Sequence, residues 1–313
     1  MIATTRVGDV GRRSRWQRDR APGARQRTLF VATSLTPIML LLMAFSILPI
    51  VGVIVFSLFR YSFQFPDHRF RGLFYFQQLV ADPLFWTGLK ATFLYVAIAV
   101  PLNIVLSLPI ALGLERLTRF RGLLRSFYFL PVVMSQVAVA LIAISLYDPS
   151  TGLVNAILGA LHLPPGHWLG DPSTALPAIV VVAVWNDLGY NIVIFLAGLQ
   201  SIPHDYYEAA RIDGAGPLAS FRYITLPLLK RTSSFILILT MISYFQVFTL
   251  PQVMTGGGPE DSTQVLSLYI YNIAIGTATP RLSQAMAAAV VMLGIMLVVT
   301  LVQLRLTRVE WDY

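Results

Sequence analysis

The 313-residue chain contains no cysteine. A disulfide framework, a thiolate metal site and a cysteine nucleophile are all excluded, and nothing is learned about redox compartment. It has two lysines, Lys90 and Lys230, and each follows a leucine. No Gly-Lys-Ser/Thr phosphate loop exists, so the chain is not itself a P-loop ATPase. The four histidines, His68, His162, His167 and His204, form no HExxH pair, and no G-x-S-x-G elbow occurs. Charge is scarce as well: Asp, Glu, Lys and Arg make up 12% of the residues, against about 25% in an ordinary soluble domain. The windows 28–59, 91–114, 126–147, 232–259 and 282–304 contain neither a charge nor a histidine. A sixth window, 172–203, is interrupted only by Asp187. About 20 apolar residues cross a bilayer as a helix. Six such windows would leave a soluble protein almost no polar surface. A soluble enzyme, a disordered chain and a nucleic-acid binder are thereby excluded.

What charge there is has a direction. Residues 1–27 hold eight arginines, Arg6, Arg12, Arg13, Arg15, Arg18, Arg20, Arg25 and Arg27, opposed only by Asp9 and Asp19. The apolar window after them is far longer than the roughly 7–15 residues of a signal-peptide core. It reads as an uncleaved first span, with the tail as a cytoplasmic anchor near anionic lipid. The expected fold is an all-α membrane protein with six transmembrane helices, at about 28–59, 91–114, 126–147, 175–199, 232–253 and 282–304. Six spans alternate the connections between two sides. The tail, 115–125, 200–231 and the C-terminus carry eighteen of the twenty-three Lys and Arg, and 60–90, 148–171 and 260–281 carry five. The positive-inside rule then puts both termini in the cytoplasm. Prolines 37, 49, 101, 109 and 131 fall inside the spans, where neighbouring helices support a kink. No repeat with a period of 20–50 residues is present.

The cytoplasmic connection between spans four and five reads SIPHDYYEAARIDGAGPLASFRYITLPLLKR over 201–231. Asp205 followed by Glu208 fits a capping-box variant, which predicts a short helix starting near Asp205. Gly214 and Gly216 end it, Pro217 opens a second short helix, and Pro227 ends that one. Ala209 and Ala210 leave one side low enough for another protein to approach closely. A connector lying on lipid is the alternative, but it would carry bulky apolar residues below and Lys or Arg above.

Glu208, Ala209, Ala210, Asp213, Gly214 and Ala215, followed by Ile224, Leu226 and Pro227, resemble the "EAA" signature of permease subunits of binding-protein-dependent ABC importers. Asp-Pro-Leu-Phe-Trp at 82–86, WNDLGYNIVIFLAGLQSIP at 185–203 and MTGGGPEDSTQVLSLYIY at 254–271 are similar to that family too, the last to its carbohydrate branch of maltose and glycerol-3-phosphate type. Tyr75-Phe76 stands where the family usually has Asn-Tyr, and Lys230 and Arg231 stand where a further proline is common. The resemblance covers roughly residues 29–309 and implies a type I importer permease. It implies that the 203–231 segment, through Glu208, Ala209, Ala210, Asp213 and Gly214, docks on an ATPase. It also implies a second homologous permease, two cytoplasmic ATPase subunits that hold ATP and Mg, an extracytoplasmic binding protein and a bacterial cytoplasmic membrane. The chain itself needs no cofactor and no metal, and binds no nucleic acid.

Polar residues within the spans are candidates for the substrate path. Asp187 and Asn191 share one helix face and Asn186 and Tyr190 the next. Gly189 between them loosens the helix. Tyr244 and Gln246 add to the set, and Asn103, Ser135 and Gln136 are further polar positions. Amides, carboxylates and aromatic faces suit a hydroxyl-rich ligand, whereas helix–helix hydrogen bonding is the structural alternative. No Arg or Lys lies inside the six windows, which favours a neutral sugar or polyol over glycerol-3-phosphate or a glycerophosphodiester. A secondary transporter or channel working without an ATPase is the other functional class that these spans allow.

Overall fold

A computed structural model describes residues 23–61, 69–117, 121–276 and 279–306. Most of the basic tail lies outside the described residues. Among the described residues the structure is helical, with one isolated antiparallel bridge between Phe59 and Phe70. Internal packing divides the chain after Gly52.

In the first unit, α1 (Ala24–Leu42) passes through a π turn at Met43–Ile47 into α2 (Leu48–Phe56), whose last residues belong to the second unit. Leu29–Phe56 is a 28-residue apolar span with mean hydropathy 2.9. The π turn has a local cause in Pro49. Proline lacks an N–H, and its ring strikes the carbonyl four residues back, here that of Phe45. The wide turn is centred on Phe45, and the Leu48 N–H reaches back to the Met43 carbonyl.

The second unit is organised around two long helices, α4 (Pro83–Arg116) and α8 (Pro172–Gln200). Each begins at an Asp-Pro pair. Asp82 and Asp171 accept hydrogen bonds from the backbone N–H of Leu84 at 3.0 Å and Ser173 at 2.7 Å. The proline occupies the first helical position, where a missing N–H costs nothing. The two helices run in the same direction. Tyr95, Val96, Ala99 and Val100 pack with Leu176, Ile179, Val180 and Ala183. Further along, Ala111 and Leu114 pack with Ile192, Phe195, Leu196 and Leu199.

Around this pair stand α5 (Arg121–Val133), α6 (Gln136–Leu146), α12 (Lys230–Phe245) and α13 (Thr249–Met254). A separate apolar cluster, including Leu79, Phe85, Tyr269 and Ala285, ties α3 (Phe74–Ala81), α14 (Leu266–Ala274) and α15 (Leu282–Leu306) to the start of α4.

Among the described residues, five helices are long and apolar enough to cross a membrane alone, and six when α5 and α6 count as one. The third window, expected as a single span over 126–147, is those two helices meeting at 97°. Pro131 sits inside α5, and Ser135 is extended, with φ −60° and ψ 131°. The break leaves the Pro131 carbonyl short of its normal helical donor. The Asn186 side chain of α8 supplies one, with Nδ2 donating at 2.6 Å. Gly189 also differs from expectation. It does not loosen α8, which is unbroken. A Cβ there would overlap the Tyr128 carbonyl, so the absent side chain is what lets α5 cross α8 closely.

The connection after α8 contains α9 (His204–Ile212), α10 (Pro217–Ser220), a π turn at Phe221–Thr225 and α11 (Leu226–Leu228), which leads into α12. The expected capping box does not form. The helix starts at His204 without a side-chain cap, and Glu208 lies 4.0 Å from His204 Nε2. Gly214 does end α9, at φ +79°. The Ala215 N–H donates to Ala210 O at 2.8 Å and the Gly214 N–H to Arg211 O at 3.1 Å, which satisfies the last carbonyls. Pro217 opens the next helix as expected, but Pro227 does not close it. The π turn is centred on Tyr223, four residues before Pro227, as the first is on Phe45 before Pro49. The Leu226 N–H bonds to Phe221 O, and the helix runs on.

Candidate functional site

α9 presents two unlike sides. Tyr207 and Ala210 are half-buried, and the Tyr207 hydroxyl lies 3.0 Å from Thr225 Oγ1, tying α9 to the π turn. Asp205, Tyr206, Glu208, Ala209, Ile212 and Asp213 are exposed. The structure thus divides the two alanines: Ala209 faces outward, while Ala210 faces inward and its carbonyl terminates the helix. Ile212 is 88% exposed, Leu218 80% and Tyr223 74%. Apolar side chains edged by Asp205, Glu208, Asp213 and Arg222 have the character of a protein-docking ridge. Behind the ridge lies a cleft of about 950 Å³, walled by Leu112, Glu115 and Arg116 of α4 and by His204, Tyr207 and Arg211 of α9.

The polar residues of the spans do not form one cluster. Asn191 is buried and donates through Nδ2 to Asn103 Oδ1 at 2.7 Å and to Thr240 Oγ1 at 2.9 Å. Asn103 Nδ2 donates to the Tyr244 hydroxyl at 2.9 Å. This chain joins α4, α8 and α12. Asn186 is committed to Pro131, Tyr190 is exposed, and Gln246 is exposed at the break after α12. Asp187 is half-buried, and among the described residues no hydrogen bond reaches its carboxylate. It lies within electrostatic reach of Tyr95 and Tyr244. Those two rings meet edge-on at 5.8 Å, and the buried Tyr95 hydroxyl has no partner among the described residues. Asn103, one of several polar positions in the sequence, is the hub that joins Asn191 to Tyr244.

Replacing Asn191 with leucine removes both donors and leaves Asn103 and Thr240 short of partners. Interhelical hydrogen bonds in membrane bundles are worth about 0.6 kcal/mol each, so a loss of roughly 1–2 kcal/mol is expected. The check is thermal unfolding of the purified protein in detergent. Tyr244→Phe, which removes one acceptor, should cost less. If both variants unfold at the wild-type temperature, this hydrogen-bond chain does not stabilise the bundle.

A second polar cluster escapes sequence reasoning. Asp82 Oδ2 accepts from the Tyr269 hydroxyl at 2.9 Å and from Gln284 Nε2 at 3.3 Å, and Arg281 Nη1 lies 3.9 Å away. Burial first, and then the Asp82 carboxylate, push the Tyr269 hydroxyl well above its ordinary range, so it stays protonated as a donor. The cluster joins the start of α4 to α14 and α15 beside a cavity of about 440 Å³. Its members are separated by up to 202 positions in the chain. The one local signal was Asp82 placed before Pro83.

Comparison with known proteins places the chain among membrane transport components. The family described as "Binding-protein-dependent transport system inner membrane component" matches residues 103–309. The trehalose/maltose transport system permease protein MalF of Thermococcus litoralis is 37% identical over 236 residues, covering 75% of this chain and 80% of that protein. The lactose transport system permease protein LacF of Rhizobium radiobacter is 34% identical over 285 residues, covering 90% and 93%. Among solved structures, a bacterial ABC transporter that imports the acidic polysaccharide alginate aligns with TM-score 0.78 and 24% identity, over 92% of this chain and 98% of that one. That likeness shows the fold.

Proposed function

Since the chain belongs to the family of binding-protein-dependent transport system inner membrane components, we propose that it is one permease subunit of an ATP-driven importer for a sugar or related polyol. It works in a bacterial cytoplasmic membrane with a second homologous permease, two cytoplasmic ATPase subunits and an extracytoplasmic binding protein. The observation that carries this reading is the exposed ridge of α9 and α10. Its large apolar side chains lie in a connection that sequence charge assigns to the cytoplasm. Glu208, Ala209, Asp213 and Gly214 form the ATPase-facing part, and Ala210 holds its C-terminal turn.

The chain is a transport component and not an enzyme. ATP and Mg belong to the partner subunits, and closure of the ATPase pair displaces α9 and α10. Substrate takes a path on which Asn186, Asp187, Tyr190, Asn191, Tyr244 and Gln246 are the candidate contacts. The Asp187 carboxylate and the buried Tyr95 hydroxyl, both without a hydrogen-bond partner among the described residues, support a hydroxyl-rich ligand there. The names of the maltose and lactose permeases support the same class. A ligand can move such a protein only by binding its two states unequally, and ATP does so on the partner subunits. The test is ATP-dependent uptake into proteoliposomes of the complete complex, with trehalose, maltose, lactose and sn-glycerol-3-phosphate as substrates. Uptake of a neutral sugar is expected. Uptake of none of the four overturns the substrate class, and uptake without ATP overturns the importer.

Orientation has its own test, made simple by the absence of cysteine. Arg222→Cys and Asp261→Cys place single thiols at exposed positions in two different connections. A membrane-impermeant thiol reagent should label the second in intact cells and the first only after permeabilisation. Labelling of position 222 in intact cells reverses the proposed orientation.

A further inference from the structure

The connection between α6 and α8 contains a helix, α7 (Leu153–Ala160), whose polarity is wrong for a helix facing water. It carries no charged residue, and 148–171 has no Lys or Arg. Its one polar side chain, Asn155, is turned into the loop. Asn155 Nδ2 donates to Pro149 O at 3.0 Å and to Gly166 O at 2.9 Å. Its Oδ1 accepts from the Gly166 N–H at 3.0 Å and from Trp168 Nε1 at 2.8 Å. Val154 and Leu158 are half-buried on that same side. At about 100° per residue, Leu153, Ala156, Ile157, Ala160 and the adjoining Leu161 fall within one arc on the opposite side. Leu153 is 57% exposed, Ile157 52% and Leu161 63%. No polar side chain interrupts this face.

Three features identify what covers it. The helix begins seven residues after Leu146 ends α6, and it ends twelve before Pro172 opens α8, so it stays at the mouth of the two spans. The two spans that it joins also expose apolar side chains, Leu141, Ile142 and Leu146 on α6 and Val181 and Trp185 on α8. Tyr147 and Trp168 lie with ring centroids 5.8 Å apart, and the Tyr147 hydroxyl donates to Ala178 O at 3.2 Å. Amphipathic aromatics of this kind mark the level at which a membrane meets water. A soluble receptor docks and departs, and would leave the aliphatic face bare between encounters. A bilayer covers it at all times.

We propose that α7 is an interfacial helix, embedded in the leaflet at which α6 ends and α8 begins, with Leu153, Ile157 and Leu161 among the acyl chains. With no Lys or Arg in the connection, zwitterionic lipid suffices.

The test uses the assembled transporter with cysteine-free partner subunits, in nanodiscs of phosphatidylcholine. Ile157→Cys and Leu153→Cys report from the apolar face. Gly159→Cys, where an added Cβ meets nothing within 4 Å, reports from beside it. Each is labelled with an environment-sensitive fluorophore and challenged with phosphatidylcholine bearing a nitroxide high on the acyl chain. Blue-shifted emission and at least about twofold stronger quenching at positions 153 and 157 than at 159 are expected of a helix lying in the interface. Equal quenching at all three overturns the proposal. So does emission at 157 that shifts only when binding protein is added, which would identify a receptor surface. Blue-shifted emission at 157 without quenching would place another subunit there and overturn it as well.

Discussion

Glu208→Lys is expected to abolish ATP-dependent uptake and to release the ATPase subunits during purification, while the spans still insert at wild-type levels. Glu208 is 65% exposed and its only ion-pair neighbour among the described residues is His204, at 4.0 Å. Little in the fold therefore depends on it. Reversing a charge beside the apolar side chains of a docking ridge costs on the order of 2 kcal/mol or more, about thirtyfold in affinity. Gly214→Val is expected to reach the same end differently. An added Cβ at Gly214 meets nothing within 4 Å, so the position has room. The obstacle is the backbone, at φ +79°, a conformation that β-branched residues strongly avoid. The turn after α9 would rearrange and carry Ile212 and Asp213 out of place. Gly214→Asn, which tolerates that backbone far better, should retain most uptake. Copurification of the ATPase and uptake rate, each normalised to permease expression, are the measurements. Wild-type values for Glu208→Lys and Gly214→Val together remove the docking role.

The largest expected effect on folding comes from Gly189→Ala. The added methyl would overlap the backbone carbonyl of Tyr128, and the atoms it meets are all backbone, with no flexible side-chain end to give way. Overpacking against a side chain typically costs about 1–3 kcal/mol. Against backbone, about 3 kcal/mol or more is expected, with separation of α5 from α8. Gly113→Ala in α4 is the control, since its Cβ meets nothing within 4 Å. It should be neutral, or stabilising by roughly 0.5–1 kcal/mol through helix propensity. Thermal stability in detergent and the yield of assembled complex provide the comparison. If Gly189→Ala matches Gly113→Ala, the close crossing of α5 and α8 is wrong.

The long apolar helices were legible because a charge in hydrocarbon is expensive, so charge-free windows of the right length have few other uses. Gly214 and Pro217 were legible for a similarly local reason, since each fixes its own backbone. Pro131 and Pro227 were not. Proline announces a perturbation, but whether the helix breaks or bends around it depends on partners elsewhere in the chain. At Pro131 the helix breaks and Asn186, 55 residues away, completes the break. At Pro227 the chain absorbs the ring in a wider turn and continues. The polar residues were legible as a set and not as an arrangement. Nothing local distinguishes Asn191, which is buried between Asn103 and Thr240, from Tyr190, which is exposed. The Asp82 cluster lay beyond any local reading, because its carboxylate meets a tyrosine 187 positions away.

The wide turn at Phe221–Thr225 has a mechanical consequence. It carries the chain past Pro227, and at the joint with α12 the Leu229 N–H donates to Thr225 O at 2.9 Å and the Ser233 N–H to Leu229 O at 2.8 Å. From Pro217 to Leu228 the backbone is therefore continuous helix, and the single turn residue Leu229, at φ −77° and ψ −6°, joins it to α12. Leu229 is buried, so this one-residue joint leaves the two segments little slack. Leu218 stands near one end, and Thr240 and Tyr244, which face Asn191 and Asn103, stand toward the other. A displacement of the exposed end is therefore expected to reach the buried polar contacts through that joint.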